Sequence, residues 1–214
     1  MQGTTGKVAL VVLDGYAESA LRRIEWDQYD MHIAVDGAFD RLRSNALLPE
    51  ILIGDFDSIT SQSLRIAKSK GLEVIHLANQ DTTDAEKAIQ FLIEQSVERA
   101  DLIGYRGTRL DHELAVLSAV AKESGRLSIR LIDSIAETWV LTAGQDRILE
   151  GCNGRTCSLM PLTKCENVTL TGFKWPLEEV TLEPGVMFAC SNVIVEEEAS
   201  IRFDNGHMLL YLHY

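Results

Sequence analysis

Two textures succeed one another along the chain. Up to about residue 133, short runs of Val, Ile and Leu alternate with longer amphipathic stretches. The runs cover residues 8–13, 32–35, 51–53, 72–75, 101–103 and 127–132. Runs this short and this continuously apolar predict strands buried on both faces. The stretches between them predict helices. Residues 63–70 are followed by Gly71, which suits the position just past a helix end. Thr83 and Glu86 have capping-box spacing ahead of Ala88, Ile89, Phe91 and Leu92. Residues 111–122 place Leu114, Val116, Leu117, Val120 and Ala121 mostly on one side, before Gly125. Strand–helix alternation of this kind predicts an open, largely parallel α/β sheet.

Beyond about residue 135 the helical period is lost. Short candidate strands cover residues 137–141, 156–160, 168–171, 180–182, 186–189, 193–195, 200–203 and 208–213. Gly144, Gly151, Asn153-Gly154, Pro161, Gly172, Pro176, Pro184-Gly185 and Asn205-Gly206 punctuate them. Asn205-Gly206, flanked by Ile201, Phe203, Met208 and Leu212, predicts a hairpin. Evenly spaced short strands predict a sandwich or barrel-like second domain. The expected boundary is near residue 135.

Composition narrows the function classes. The chain has 214 residues, 46% hydrophobic and 24% charged, an ordinary balance for a globular protein. Its formal charge of −12 disfavours a nucleic-acid partner. No apolar run approaches membrane-spanning length, so a soluble, cytoplasmic protein is expected. Cys152, Cys157, Cys165 and Cys190 form no CxxC pair and have no histidine at ligand spacing, which points to reduced thiols rather than a zinc site.

The candidate chemistry lies in the placement of carboxylates. Asp36 follows the second apolar run, and Asp55 and Asp57 follow the third. Asp81 and Asp84 precede the helix beginning near Ala85, and Asp111 opens the next helix. In a parallel sheet these positions share the carboxyl edge, where ligands of open α/β folds bind. Carboxylates that gather repel one another, so such a site usually holds a hard cation such as Mg²⁺, often shared with substrate phosphates. Asp55 and Asp57 would point the same way if locally extended. Each acid also has a plainer reading. Asp84 and Asp111 suit a helix first turn, and Asp36-Gly37 suits a turn. Arg109, in a glycine-bearing segment from Gly104 to His112, can grip phosphate oxygens or form a surface ion pair. Trp175 can stack on an aromatic or cationic ligand or fill a core.

Taken together, these segments resemble the thiamine pyrophosphokinase family. The matching pieces are Val35-Asp36-Gly37-Ala38, Ile53-Gly54-Asp55-Phe56-Asp57-Ser58, Gln80-Asp81-Thr82-Thr83-Asp84 and Arg109-Leu110-Asp111-His112. The C-terminal half adds Ser158-Leu159-Met160-Pro161-Leu162, Thr171-Gly172-Phe173-Lys174-Trp175-Pro176-Leu177 and Ser191-Asn192. The resemblance implies an α/β catalytic, Mg-ATP-binding domain over residues 1–135. It implies a β-sandwich over 136–214 that binds thiamine and forms a homodimer, with thiamine between the α/β domain of one subunit and the β-domain of the other. It implies Mg²⁺ on Asp55, Asp57, Asp84 and Asp111, with Asp57, Asp84, Asp111 and Arg109 catalytic. Asp36, Gln80, Thr83 and Arg109 would serve ATP, and Ser191, Asn192 and Trp175 thiamine. Two positions depart from the family pattern. Ala38 stands where a second glycine is usual, and Thr108 replaces the glycine before the arginine. The rival readings are a DxD-type nucleotide-sugar glycosyltransferase and a non-catalytic thiamine- or nucleotide-binding protein.

Overall fold

A computed structural model describes residues 6–77, 81–144, 146–187 and 189–214. The chain divides into two compact units, Met1–Ser134 and Ile135–Tyr214. In the first, the strands are β1 (Val8–Val12), β2 (Met31–Val35), β3 (Ile51–Gly54), β4 (Glu73–His76), β5 (Arg99–Ile103) and β6 (Ser128–Ile132). The helices are α1 (Glu18–Leu21), α2 (Ala38–Ser44), α3 (Ser61–Ser69), α4 (Asp84–Glu94) and α5 (Leu110–Glu123).

The strands lie in the order β6-β5-β1-β2-β3-β4, and every pairing between them is parallel. The order reverses between β1 and β5, so the chain winds outward in both directions from that seam. Register is set by burial: Val11 pairs with Ile33 in β2 and with Leu102 in β5, and all three are fully buried. Leu10 and Val12 pack with Ala20, Phe39, Leu42 and Ala67 from α1, α2 and α3 in one apolar cluster. α4 and α5 pack on one another and bury Ala88, Ile89, Leu92, Val116 and Val120. The sequence pattern anticipates α3, α4 and α5 closely but not α1 and α2. Both are short, and neither has a side-chain cap at its N-terminus.

The second unit is antiparallel. Its strands are β7 (Ala136–Thr142), β8 (Arg147–Glu150), β9 (Thr156–Pro161), β10 (Cys165–Thr171), β11 (Leu177–Leu182), β12 (Ala189–Val193), β13 (Glu198–Arg202) and β14 (His207–His213). They form two ladders, β12-β9-β14-β7 and β11-β10-β13-β8. Cys157, Leu159, Met208 and Leu210 from the first and Leu149, Val168, Leu170 and Ile201 from the second share one core.

Two strand expectations need correction. Residues 186–189 and 193–195 are not separate strands. A single strand, β12 (Ala189–Val193), bridges the gap expected between them, and Glu183 and Met187 form only an isolated bridge. Asn205-Gly206 does not close a hairpin, because β13 and β14 belong to different ladders. The turn is held instead by the start of β10 and the connection leading into it. Asn205 Nδ2 donates to Glu166 at 2.8 Å and His207 N to Thr163 Oγ1 at 2.9 Å. The tight Asn-Gly turn therefore serves as a corner between ladders. β8 also escapes the sequence reading, since only Leu149 of its four residues is buried.

The core of the first unit sets a stability expectation. Phe39 is fully buried among α1, α2 and the strands. Phe39→Ala should cost about 3–5 kcal/mol in urea unfolding. A cost below about 1 kcal/mol would contradict that packing.

Candidate functional site

Parallel pairing brings the loops after β1 to β5 to one edge. At the seam between β1 and β5 these loops are laced together by backbone hydrogen bonds. Gly15 N donates to Gly104 O at 2.8 Å and Tyr16 N to Arg106 O at 2.6 Å. A Cβ on Gly15 would lie 2.1 Å from the Arg106 carbonyl, so only glycine permits this approach. The segment from Gly104 to Arg109, glycine-bearing and flexible by its sequence, is tied down. The buried Asp133 carboxylate accepts from Tyr105 Oη and Arg106 Nη1, both at 3.0 Å, and Gly107 N donates to Glu113 at 2.9 Å.

Beside this seam the acids converge. Asp36, Asp55 and Asp84 each place a carboxylate oxygen within 4.8 Å of the other two. Asp36 leaves β2 with φ 47°, and its Oδ1 accepts from Phe56 N at 2.9 Å, joining the loop after β2 to the loop after β3. Gly54, at φ 152°, lies so close that a Cβ would meet Asp36 Oδ1 at 2.4 Å. Phe56, at φ 66°, puts a turn between Asp55 and Asp57. The two acids therefore do not sit on one extended stretch. Asp57 N donates to Asp55 Oδ1 at 3.2 Å, and Asp57 itself is exposed. Asp84 is the first residue of α4, with Thr83 as its cap. Thr83 Oγ1 accepts from Glu86 N at 3.3 Å and Glu86 accepts from Thr83 N at 2.9 Å, the capping box expected from the sequence.

A lysine completes the cluster. Lys87 Nζ lies 2.8 Å from Asp84 Oδ1 and 3.7 Å from Asp55 Oδ2, and its side chain is only 5% exposed. Desolvation acts against its charge, but Asp84, Asp55 and Asp36 outweigh it and hold the ammonium above its ordinary value. Asp36 moves the opposite way for an acid. Burial first, then the charge of Asp84 and a hydrogen bond with it, and then Asp55 push its carboxyl up to about 7, against the Phe56 N–H.

The remaining candidates are not members of this trio. Asp111 and Arg109 are exposed at the start of α5 and pair at 2.5 Å, so the arginine forms the surface ion pair that was one of its two readings. The pairing holds the Asp111 carboxyl below its ordinary value. Thr108 is exposed, whereas the Ala38 methyl is fully buried at the start of α2. Gln80 lies outside the described residues. In the second unit, Asn192 is buried and spends its amide on the loop before β11. Its Oδ1 accepts from Trp175 N at 3.1 Å and its Nδ2 donates to Trp175 O at 2.7 Å. Ser191 has φ 55° and donates its N–H to Ser158 Oγ at 2.9 Å. Trp175 is 53% exposed, so it is not a core residue. A cavity of about 400 Å³ opens beside α4, walled by Ile75, Leu77, Ile89 and Phe91. Lys87 borders it, but none of Asp36, Asp55 and Asp84 does.

Sequence reasoning missed Lys87. The available signal was a lysine one turn after Asp84 on a face otherwise made of Ala85, Ala88, Ile89 and Leu92.

A parallel sheet whose carboxyl edge gathers oxygen donors and close-packed glycine loops defines an α/β enzyme suited to phosphate chemistry. Comparison with known proteins makes this specific. The model of the thiamin pyrophosphokinase catalytic domain matches residues 23–131, and that of the thiamin pyrophosphokinase vitamin B1 binding domain matches residues 146–208. The thiamine pyrophosphokinase of Bacillus subtilis is 29% identical over 187 residues, covering 86% of this chain and 87% of its own. Thiamin pyrophosphokinase 1 of Caenorhabditis elegans is 26% identical over 205 residues, covering 89% and 83%. The crystal structure of the Bacillus subtilis enzyme superposes with a TM-score of 0.85 at 26% identity, covering 97% of this chain and 99% of that one. The chain belongs to the thiamin pyrophosphokinase family. Its relatives support a thiamine diphosphokinase and favour neither a nucleotide-sugar glycosyltransferase nor a non-catalytic binder.

The position of Asp36 generates a pH prediction. Its proton is held more tightly in the folded chain than in the unfolded one, where the ordinary value is 3.8. Below about pH 4 both states hold the proton. Between about 4 and 7 the unfolded state alone releases it, so folding stability declines as pH rises, by on the order of 4 kcal/mol. Above about 7 the loss is complete. In EDTA, Asp36→Asn should remove this component from the urea-unfolding profile. Parallel profiles for the two proteins would contradict the assignment.

Proposed function

We propose that the chain binds Mg²⁺–ATP at the acidic edge of its α/β unit and transfers the pyrophosphoryl group to the hydroxyl of thiamine, releasing AMP and forming thiamine diphosphate. The observation that carries this reading is the convergence of Asp36, Asp55 and Asp84 at the carboxyl edge, in a chain of this family. Carboxylate oxygens are the donors Mg²⁺ prefers, and it usually takes one or two from protein and the rest from phosphate and water. The trio fits such an ion. Asp55 and Asp84 would hold it beside Asp36, with Asp57 and Asp111 joining from the same edge. Once bound, the ion would offset the phosphate charge that a chain of net charge −12 otherwise repels.

Transfers of this type depend mainly on positioning and on offsetting charge. The thiamine hydroxyl oxygen forms a bond to the β-phosphorus as the bond from that phosphorus to the α-bridging oxygen breaks, and AMP carries away the bond's electrons. Asp84 or Asp111 is assigned to accept the hydroxyl proton, and the pairing with Arg109 holds the Asp111 carboxyl below its ordinary value. Arg109, at the exposed start of α5, is assigned to the phosphates. Asp36, Thr83 and Gln80 are assigned to the nucleotide side. Ser191, Asn192 and Trp175 are assigned to thiamine: Asn192 fixes the loop, and the exposed indole stacks on the cationic substrate.

The same reading makes residues 1–135 the catalytic domain and 136–214 a β-sandwich that binds thiamine and forms a homodimer. Each thiamine would lie between the α/β unit of one subunit and the β-unit of its partner. A cytoplasmic location fits the four free cysteines, and among the described residues no helix is long and apolar enough to cross a membrane.

Incubation with ATP, Mg²⁺ and thiamine should yield AMP and thiamine diphosphate in equal amounts, and omission of any one component should abolish both. Asp84→Asn and Asp57→Asn should lower turnover at least about 100-fold while circular dichroism stays unchanged. Full turnover in either variant, at the same Mg²⁺ requirement, would remove that residue from the site.

A further inference from the structure

Among the described residues of the α/β unit, Lys87 has an unusual environment. Its neighbours along the buried face of α4 are Ala85, Ala88, Ile89 and Leu92, yet its side chain is only 5% exposed. Lysine is almost never buried this far unless it is paired, because an ammonium taken out of water loses most of its hydration. Here the pairing is with two members of the acid trio at once, Asp84 at 2.8 Å and Asp55 at 3.7 Å. The helix fixes the geometry. Lys87 follows Asp84 by three residues, so the two emerge one above the other. Asp55 arrives from the loop after β3, and the ammonium links the two carboxylates through a shared positive charge.

This placement has a consequence for any cation the acids receive. With Asp36, Asp55 and Asp84 ionised and Lys87 protonated, the group carries a net formal charge of two negative, which one divalent ion balances. Without the lysine, the three carboxylates would repel one another in the empty site and grip an arriving ion more strongly.

We propose that Lys87 is a positioning residue: its ammonium holds Asp84 and Asp55 toward Asp36 in the metal-free protein and takes up charge that a divalent ion would otherwise meet, keeping that ion exchangeable. This rests on the metal–nucleotide reading of the acids given above. Removing the lysine has two opposing effects on the ion. The carboxylates lose their tether, which weakens binding, and the ion loses a repelling neighbour, which strengthens it. The second effect prevails, because the interaction between close charges in a half-buried site exceeds the cost of ordering two short side chains.

The test is a Mn²⁺ titration without substrates, read by electron paramagnetic resonance, on the wild-type chain, Lys87→Met and Lys87→Gln. Glutamine keeps a hydrogen-bond donor but no charge. Both variants should bind Mn²⁺ at least tenfold more tightly than wild type. Both should be less stable in EDTA and regain stability when Mn²⁺ is supplied. With substrates, kcat should fall at least tenfold while the Mg²⁺ concentration for half-maximal rate also falls, a split that loss of packing alone does not produce. Mn²⁺ affinity unchanged or weakened in both variants would overturn the proposal. If a variant fails to fold in EDTA, folding restored by Mn²⁺ supports the proposal, and failure of Mn²⁺ to restore it overturns it. A wild-type chain that binds no Mn²⁺ would instead mean that the metal reading of the acids has failed, and the proposal with it.

Discussion

The ammonium of Lys87 reaches Asp84 and Asp55 from within the apolar face of α4, and Asp36 completes the ring of charge. Three half-buried or buried carboxylates do not stay together unaided, because each raises the cost of ionising the next. Two devices keep them together here. One is the internal cation. The other is the tighter hold of the Asp36 carboxyl on its proton, pushed up to about 7 by burial and by Asp84. Both leave room for a divalent ion to take over the balance. The surrounding architecture makes this concentration of like charge tolerable.

The fold supplies the framework in a definite order. Parallel pairing sends the ends of β2 and β3 and the start of α4 to one edge. Backbone detail then closes the distances. The positive φ of Asp36 turns its carboxylate across to the Phe56 amide, and Gly54 leaves space for it that any side chain would fill. The Thr83 capping box fixes where α4 begins, and therefore where Asp84 and Lys87 emerge. At the neighbouring seam, Asp133 and Glu113 pin the loop that carries Arg106 and Gly107. Arg109 and Asp111 remain exposed at its end, where a ligand can rearrange them at little cost.

Much of this was legible in the sequence, for identifiable reasons. The wholly buried strands β1, β2 and β3 read as continuous apolar runs because both of their faces are covered, whereas the edge strand β4 has no fully buried residue. The carboxyl-edge acids could be placed once strand–helix alternation implied parallel order. Less was legible where the deciding partner is remote in sequence. Asn205-Gly206 is hairpin chemistry locally, but Glu166 and Thr163 draw it into a corner between ladders. Asp55 and Asp57 look like neighbours on one extended stretch, and the Asp36–Phe56 hydrogen bond helps hold a turn between them. Lys87 reads as one more helical lysine until the loop after β3 brings Asp55 to it. Trp175 and Asn192 meet where the backbone pairing of Phe173 with Ile194 and of Lys174 N with Val193 O hands over to the Asn192 side-chain amide, a contact that no local pattern announces.

The central claim is that Asp36, Asp55 and Asp84 form a single cation site on which the nucleotide is assembled. A crystal grown with Mn²⁺ and a non-hydrolysable ATP analogue, with diffraction recorded to reveal the manganese anomalous signal, tests it directly. The account predicts a peak bonded to carboxylate oxygens of Asp55 and Asp84, beside Asp36, with analogue phosphate oxygens completing its coordination. A peak remote from these three residues, or an analogue bound with no ion among them, would contradict it.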